Sequence, residues 1–263
     1  MNRWTLLSAL AASLALASPK PLPFSYNYET LPKGGTEVEV YGDLTPTVAL
    51  SSSTGSMVGY LKPELQLEIE HGLTDRLEFG FYVTLAPEPG ESLVATPATV
   101  QGNGLKQRLR YRFADAGEWP IDVGVYFEVV ENTREIELEA KVLLQRRFGP
   151  ARLIVNLVGE LEVYFDGRRE WVLNPTAGLT VELNPNVHLG AEYWLRAEFP
   201  ARGGTRGFNL GPHQYLGPVV NLNFGHVWWT TGVYLRASDF GRPMQTGDGF
   251  GAVWVRTILG IGF

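Results

Sequence analysis

The sequence predicts an all-β protein: an antiparallel, up-and-down transmembrane β-barrel of about twelve strands over residues 36–263. Three observations predict this fold. Apolar and polar residues alternate with a period of two along most of the chain, which is typical of strands with one apolar and one polar face. Most alternating segments reach the roughly 9–11 residues that a tilted strand needs to cross a bilayer. The connections between them alternate between short and long, as the turns and loops of such barrels do.

The N-terminal end of the 263-residue chain has the layout of a signal peptide. Arg3 supplies a positive charge, residues 4–17 are mostly apolar, and Ala15 and Ala17 form a small-x-small cleavage pattern. We therefore expect residues 1–17 to be a cleaved signal peptide and residues 18–35 to be a short periplasmic segment. A buried N-terminal helix is the alternative interpretation.

The alternation is clearest between Glu64 and Glu70, where Leu65, Leu67 and Ile69 share one face and glutamate and glutamine side chains share the other. The same pattern recurs along the chain and predicts strands at 36–44, 57–70, 76–86, 104–113, 119–131, 134–147, 151–165, 170–182, 187–198, 212–223, 226–237 and 249–263. Pro63, Pro175 and Pro218 fall inside these spans and lack a ladder donor, so we expect bulges or strand ends there.

The connections predict which end of the barrel faces which compartment. With both termini in the periplasm, the even-numbered connections lie on the inner side and should be short. They are 71–75, 114–118, 148–150, 183–186 and 224–225. The four longest connections are all odd-numbered and should face outward, at 45–56, 87–103, 199–211 and 238–248.

The two faces of each strand differ in charge, and this predicts what surrounds them. The apolar face is free of charge between the strand ends, so we assign it to lipid and the charged face to the lumen. A soluble β-sandwich or lipocalin-like barrel, with the charged face in water, is the alternative. The candidate lumen-lining residues are Lys106, Arg108, Arg110, Arg112, Glu64, Glu68, Glu78, Glu128, Glu137, Glu139, Lys141, Glu160, Glu192, Arg236 and Arg256.

The fourth predicted strand carries the basic members of this set at alternate positions, from Lys106 to Arg112. The neighbouring strands place Glu78, Asp122 and Glu128 on the same surface, where opposite charges pair across strands. The basic ladder either borders a usable channel or interlocks with these carboxylates to fill a narrow bore. Twelve strands lie between barrels filled by side chains and the larger open porins.

The last strand ends the chain on an aromatic residue. Val255, Leu259, Ile261 and Phe263 form an alternating apolar strand. It resembles the C-terminal strand that the assembly machinery reads in bacterial outer-membrane barrels. That resemblance implies a bacterial outer-membrane location after signal-peptide cleavage, with the bilayer, its lipopolysaccharide and the assembly machinery as partners. The net charge of −6 and the lack of a basic tail argue against nucleic acid as a partner.

Two further stretches are similar to an uncharacterised, porin-like group of bacterial outer-membrane barrels. One is Glu29-Thr30-Leu31-Pro32-Lys33-Gly34, followed by Glu37 and Glu39. The other runs from Glu68 to Glu78 and contains His71-Gly72-Leu73-Thr74-Asp75, similar to the first periplasmic turn of that group. The resemblance implies an envelope location and a transport-type or unknown role, and it carries over no functional residues.

No catalytic, cofactor-binding or metal-binding residues are predicted. The outer-membrane phospholipase A family places a serine two residues after its histidine, whereas His71, His188, His213 and His226 are followed at that distance by Leu73, Gly190, Tyr215 and Trp228. The chain has no cysteine. Glu137 and Glu139 have a spacing that an acid/base pair could use, but acidic residues on a solvated wall explain it more simply.

The sequence therefore favours a narrow passive pore or transporter for small polar solutes, narrowed by loops 87–103 and 199–211. A non-conducting structural or binding barrel, whose outer loops contact a partner, is the second hypothesis. A membrane-embedded lipid hydrolase is the third.

Overall fold

A computed structural model describes residues 17–50, 57–87, 100–202, 212–238 and 251–263. The strands are β1 (Thr36–Leu50), β2 (Met57–Gly72), β3 (Leu77–Pro87), β4 (Val100–Arg112), β5 (Asp122–Asn132), β6 (Glu135–Phe148), β7 (Ala151–Tyr164), β8 (Arg169–Leu173), β9 (Thr176–Asn184), β10 (Val187–Arg202), β11 (His213–Asn223), β12 (Val227–Arg236) and β13 (Val253–Gly262). In the described residues, no helix is long and apolar enough to cross a membrane.

All neighbouring strands pair antiparallel, and the sheet closes on itself. β1 pairs with β2 on one side and with β13 on the other, from Glu37↔Gly262 to Leu44↔Val255. Backbone hydrogen bonds between Thr36 and Phe263 extend this seam to the end of the chain. Closure gives the backbone N–H and C=O groups of both edge strands hydrogen-bond partners. A sheet in lipid requires this because lipid offers no hydrogen-bond partners.

β8 and β9 are two segments of one transmembrane strand. Gly159 of β7 pairs with Leu173 of β8, and Asn156 pairs with Thr176 of β9, so both strands advance by three residues across the break. The break falls at Asn174 and Pro175, where the Asn174 N–H still donates to the Val158 carbonyl. The barrel therefore has twelve strands, and the predicted all-β barrel is confirmed.

The predicted strand centres are confirmed, and the prolines explain the irregular points. Pro175 separates β8 from β9 because it cannot donate to the ladder. Pro218 lies in a gap in the pairing of β11 with β12, between Leu216↔Leu235 and Val219↔Gly232, and the register is the same on both sides of the gap. Pro63 pairs with β1 but precedes Leu65, where pairing with β3 begins.

The burial pattern is the inverse of that in a soluble protein. Leu67 on the outer face is 41% exposed, whereas Glu68 and Glu70, on the opposite face of β2, are fully buried. The same contrast recurs around the barrel, with apolar side chains outside and carboxylates inside. An apolar exterior of this extent has to be covered by an apolar medium, because soluble monomers rarely expose large continuous apolar surfaces.

Candidate functional site: an occupied lumen

The centre of the barrel is filled by the segment that precedes β1. Residues 17–33, called the plug here, contact lumen-facing side chains on opposite sides of the wall. Lys20 reaches Glu39 of β1, the Ser25 hydroxyl meets Thr176 of β9, and the Tyr26 N–H donates to Asn156 of β7. The sequence predicted residues 18–35 as a short periplasmic segment, and their contacts lie instead inside the barrel. The proposed signal peptide, apart from Ala17, lies outside the described residues.

The first arm of the plug places a lysine among carboxylates. Lys20 Nζ lies 2.6 Å from Glu39 Oε2, 2.8 Å from Glu70 Oε1 and 3.1 Å from Glu68 Oε2. Its fourth partner is the Tyr41 hydroxyl at 2.6 Å. Burial alone lowers the pKa of Lys20, but the surrounding glutamates outweigh it and raise that pKa well above its usual value. Lys20 therefore stays charged at neutral pH.

The wall beside Lys20 holds two arginines of the predicted basic ladder. Arg108 pairs with Glu68 at 2.8 Å, with Glu78 at 2.7 Å and with Glu70. Arg110 pairs with Glu78 at 2.7 Å. Gly80 makes room for Arg108, since a Cβ at Gly80 would lie 2.6 Å from Nε. The ladder therefore interlocks with acidic neighbours at this level of the barrel.

The apex of the plug rests on aromatic side chains. The ring of Phe24 lies 4.8 Å from Trp194 and 5.1 Å from Tyr234, and the guanidinium of Arg256 lies 3.9 Å above it. Glu192 accepts the backbone N–H groups of Phe24 and Ser25 at 3.1 and 2.5 Å and also the Tyr234 hydroxyl. The Glu192 carboxylate thus accepts hydrogen bonds from the backbone N–H groups at the bend in the plug. Without it, these buried N–H groups would have no partners.

The second arm returns to the inner end of the barrel. Lys141 Nζ lies 4.2 Å from the ring of Tyr26 and 4.3 Å from that of Tyr126, between the plug and the wall. Further along, the Leu31 N–H donates to Glu78 at 2.7 Å. The arm then enters β1 through Gly34, whose φ of 83° suits glycine.

Glu29 fixes this arm to the inner rim. It accepts from Gln145 at 2.9 Å and lies 3.7 Å from Arg152. Burial raises the pKa of Glu29, but Arg152 and the hydrogen bond from Gln145 outweigh it and hold that pKa below its usual range.

The remaining predicted lumen residues separate into three levels. Arg112 lies at the inner end and binds the Asp75 carbonyl at 2.9 Å and Asp115. At mid-height Arg196 pairs with Glu160 at 2.7 Å, and Lys141 pairs with Glu139 at 2.9 Å. Arg236, at the outer end of β12, is buried against His213 at the outer end of β11. Toward the outer end Lys106 lies 3.5 Å from Glu128, and a cavity beside it is lined by Glu64, Gln66, Thr84, Asn132 and Glu137. The loops 87–103 and 199–211, predicted to narrow the pore, fall largely outside the described residues.

Among the described residues, two triads of carboxylates place oxygen atoms within 4.8 Å of one another: Glu37, Glu39 and Glu70, and Glu137, Glu139 and Glu160. Lys20 and Arg108 enter the first triad, and Lys141 and Arg196 enter the second. Each triad therefore already contacts two cationic side chains.

Sequence reasoning missed the plug, although one signal was present. Leu22, Phe24, Tyr26 and Tyr28 occupy alternate positions of residues 18–35. A flexible solvated segment is usually poor in aromatic residues, so this content could have indicated packing.

The sequence matches no protein-family model and no curated protein. Its fold, however, is similar to solved structures. A crystal structure of an outer membrane channel from Pseudomonas putida F1 aligns with a TM-score of 0.61 and 15% identity over 94% of this chain and 100% of that one. The NanC porin aligns with a TM-score of 0.55 and 11% identity over 86% of this chain and 98% of that one. The chain thus has the fold of a twelve-stranded, porin-like bacterial outer-membrane β-barrel.

Proposed function

We propose that this protein is an outer-membrane channel for small polar or charged solutes, kept closed in the described state by its own plug. The observation that carries this proposal is which part of the chain fills the lumen. A tethered segment, rather than wall side chains alone, occupies the centre of the barrel. A filling that belongs to a separate segment can leave without unfolding the wall.

The contacts of the plug support reversible seating. Its backbone is held by side chains of the wall, such as Glu192, Asn156 and Glu78, and not by strand pairing. Water can replace each of these polar contacts when the plug withdraws. The passage left behind would be lined by carboxylates, hydroxyls and guanidinium groups, which suits small hydrophilic solutes better than apolar ones.

A reversible covalent lock tests the proposal. The hydroxyls of Ser25 and Thr176 lie 2.8 Å apart, and the chain has no native cysteine. The double variant Ser25→Cys/Thr176→Cys should therefore form a single disulfide between plug and wall. In planar bilayers we expect no conductance from the oxidised variant and channel openings after reduction. A variant lacking residues 19–31 should conduct continuously.

The matched controls are each single cysteine variant, whose conductance should not respond to reductant. A folded barrel without its plug that conducts no ions would refute the channel.

The filled lumen is also the observation that favours the second candidate, a non-conducting structural or binding barrel. In that case the plug is permanent packing. Its removal would then lower the thermal stability of the barrel without producing conductance, so one pair of measurements separates the two functions.

A further inference from the structure

The buried charges around Lys20 do not balance. In the described part of the chain, Glu37, Glu39, Glu68, Glu70 and Glu78 are five fully buried carboxylates in one connected cluster. The cations that pair within the cluster are Lys20, Arg108 and Arg110. A buried carboxylate without a cation is costly, so such a group takes up a proton or acquires a cationic partner.

Glu37 is the member of this cluster that none of these three cations pairs with. Its Oε1 accepts the indole N–H of Trp228 at 2.7 Å, and its Oε2 accepts the backbone N–H of Ser18 at 2.7 Å. The Ser18 nitrogen is therefore the donor best placed to carry a positive charge to Glu37. A peptide nitrogen is neutral, whereas a chain-terminal amine is protonated at neutral pH, with an ordinary pKa of about 7.7–8.0.

The sequence indicates how the peptide nitrogen of Ser18 can become a chain-terminal amine. Ala15 and Ala17 form a small-x-small pattern, and cleavage after Ala17 makes Ser18 the first residue. We propose that leader removal at the Ala17–Ser18 bond creates an α-ammonium group that forms a buried ion pair with Glu37 and anchors the start of the plug. Hydrolysis consumes one water molecule, leaves a carboxylate on Ala17 and leaves the ammonium on Ser18.

Gly262 offers an independent check on where the chain is cut. The three atoms nearest to a Cβ built at Gly262 all belong to Ala17, with Cα at 2.7 Å and N at 2.9 Å. In the processed protein these atoms are gone, so Gly262→Ala should be tolerated. In an unprocessed chain the same change would collide with backbone.

The test uses the full-length gene product purified from outer membranes. Its intact mass should correspond to a chain that begins at Ser18. An amine-acetylating reagent, followed by peptide mass spectrometry, then gives the labelling rate of the Ser18 amine. We expect labelling in the folded protein to be at least tenfold slower than after denaturation, and Glu37→Gln to remove this protection. Glu64→Gln, the same change at a half-buried position in the middle of β2, is the matched control and should leave the rate unchanged.

A second variant covers the case in which Glu37→Gln does not fold, as judged by the heat-dependent gel mobility of the barrel. One glycine inserted between Ala17 and Ser18 moves the ammonium group one residue from Glu37 and should also expose it to the reagent. A mature chain that begins elsewhere, equal labelling of the wild-type and Glu37→Gln proteins, or full protection in the insertion variant would each overturn the proposal. None of these outcomes depends on whether the barrel conducts.

Discussion

Lys20 shows how one side chain can link the plug to the wall. It has four polar partners on β1 and β2, and all of them are buried. A buried ion pair adds little compared with a good apolar core, but removal of one partner leaves the other charges buried and uncompensated. The main effect of losing Lys20 would therefore be that its glutamate partners stay buried without a compensating positive charge.

Replacement of Lys20 by methionine tests this. The change keeps the length of the side chain and leaves Glu39, Glu68 and Glu70 without its charge. We expect the free energy of plug seating to fall by about 3–5 kcal/mol, measured as a rise in open probability in bilayers and as faster proteolysis of residues 18–33. Lys33→Met, at an exposed plug position, is the matched control. Equal behaviour of the two variants would contradict this role of Lys20.

Glu29 predicts how acid affects the plug. Because its folded pKa lies below the unfolded value of about 4.3, its ionised form stabilises the seated plug above that pH. This contribution is lost as pH falls through the folded pKa. The difference in thermal stability between wild-type protein and Glu29→Gln should therefore shrink progressively below about pH 4.3. A constant difference down to pH 2 would show that Glu29 does not act through its charge.

At the scale of the strands, small residues on the wall make room for the plug. Gly178 of β9 faces Leu22, whose methyl groups occupy the space that a Cβ would need. Because glycine lacks a side chain, Gly178 leaves a space in the wall that Leu22 fills. This contact fixes the position of the first arm along the barrel axis. Its effect is steric and separate from the charges around Lys20.

Gly178→Val should displace Leu22 and loosen the plug without any change in charge. We expect more frequent openings and faster proteolysis of the plug, with the folded barrel retained on gels. Gly159→Val on β7, where a Cβ would meet no atom within 4 Å, is the matched control. A closed channel in both variants would mean that the apolar contact of Leu22 does not hold the plug.

The strand-level pattern also shows what sequence can and cannot predict. Period-two alternation in segments such as Glu64–Glu70 was sufficient to assign the two faces, because a wrong face would place glutamates in lipid. The pairing of Arg108 with Glu68, Glu70 and Glu78 depends on the register and tilt of three strands, which alternation does not determine. The plug has no strand to align, so its path follows from contacts between residues far apart in sequence, such as Ser25 and Glu192.

At the scale of the whole molecule, the medium that surrounds the barrel determines how a charge on its outer face affects stability. Leu67 lies near the middle of β2 and is 41% exposed. In water, Leu67→Lys would change stability little. In a bilayer, a lysine near the midplane should destabilise the barrel by about 2–4 kcal/mol.

Reversible urea unfolding in lipid vesicles measures this difference. Ile121→Lys is the matched control, because Ile121 is similarly exposed, at 45%, but lies at the inner turn before β5. There the cost should be about 0–1 kcal/mol. Equal, negligible costs at both positions would place water rather than acyl chains around the barrel.

The connection through Gly34 and Gly35 has a kinetic consequence. The Gly34 N–H donates to Gly72, and the Gly72 N–H donates to Gly35, so this joint is fixed to the rim of β2. A plug that leaves the lumen therefore remains covalently tethered to β1 and is fewer than twenty residues long. Its effective concentration at the vacated site is of millimolar order. Resealing is then a first-order event within one molecule. Its rate should not depend on how densely the membrane is populated, and each opening should end without help from any other component.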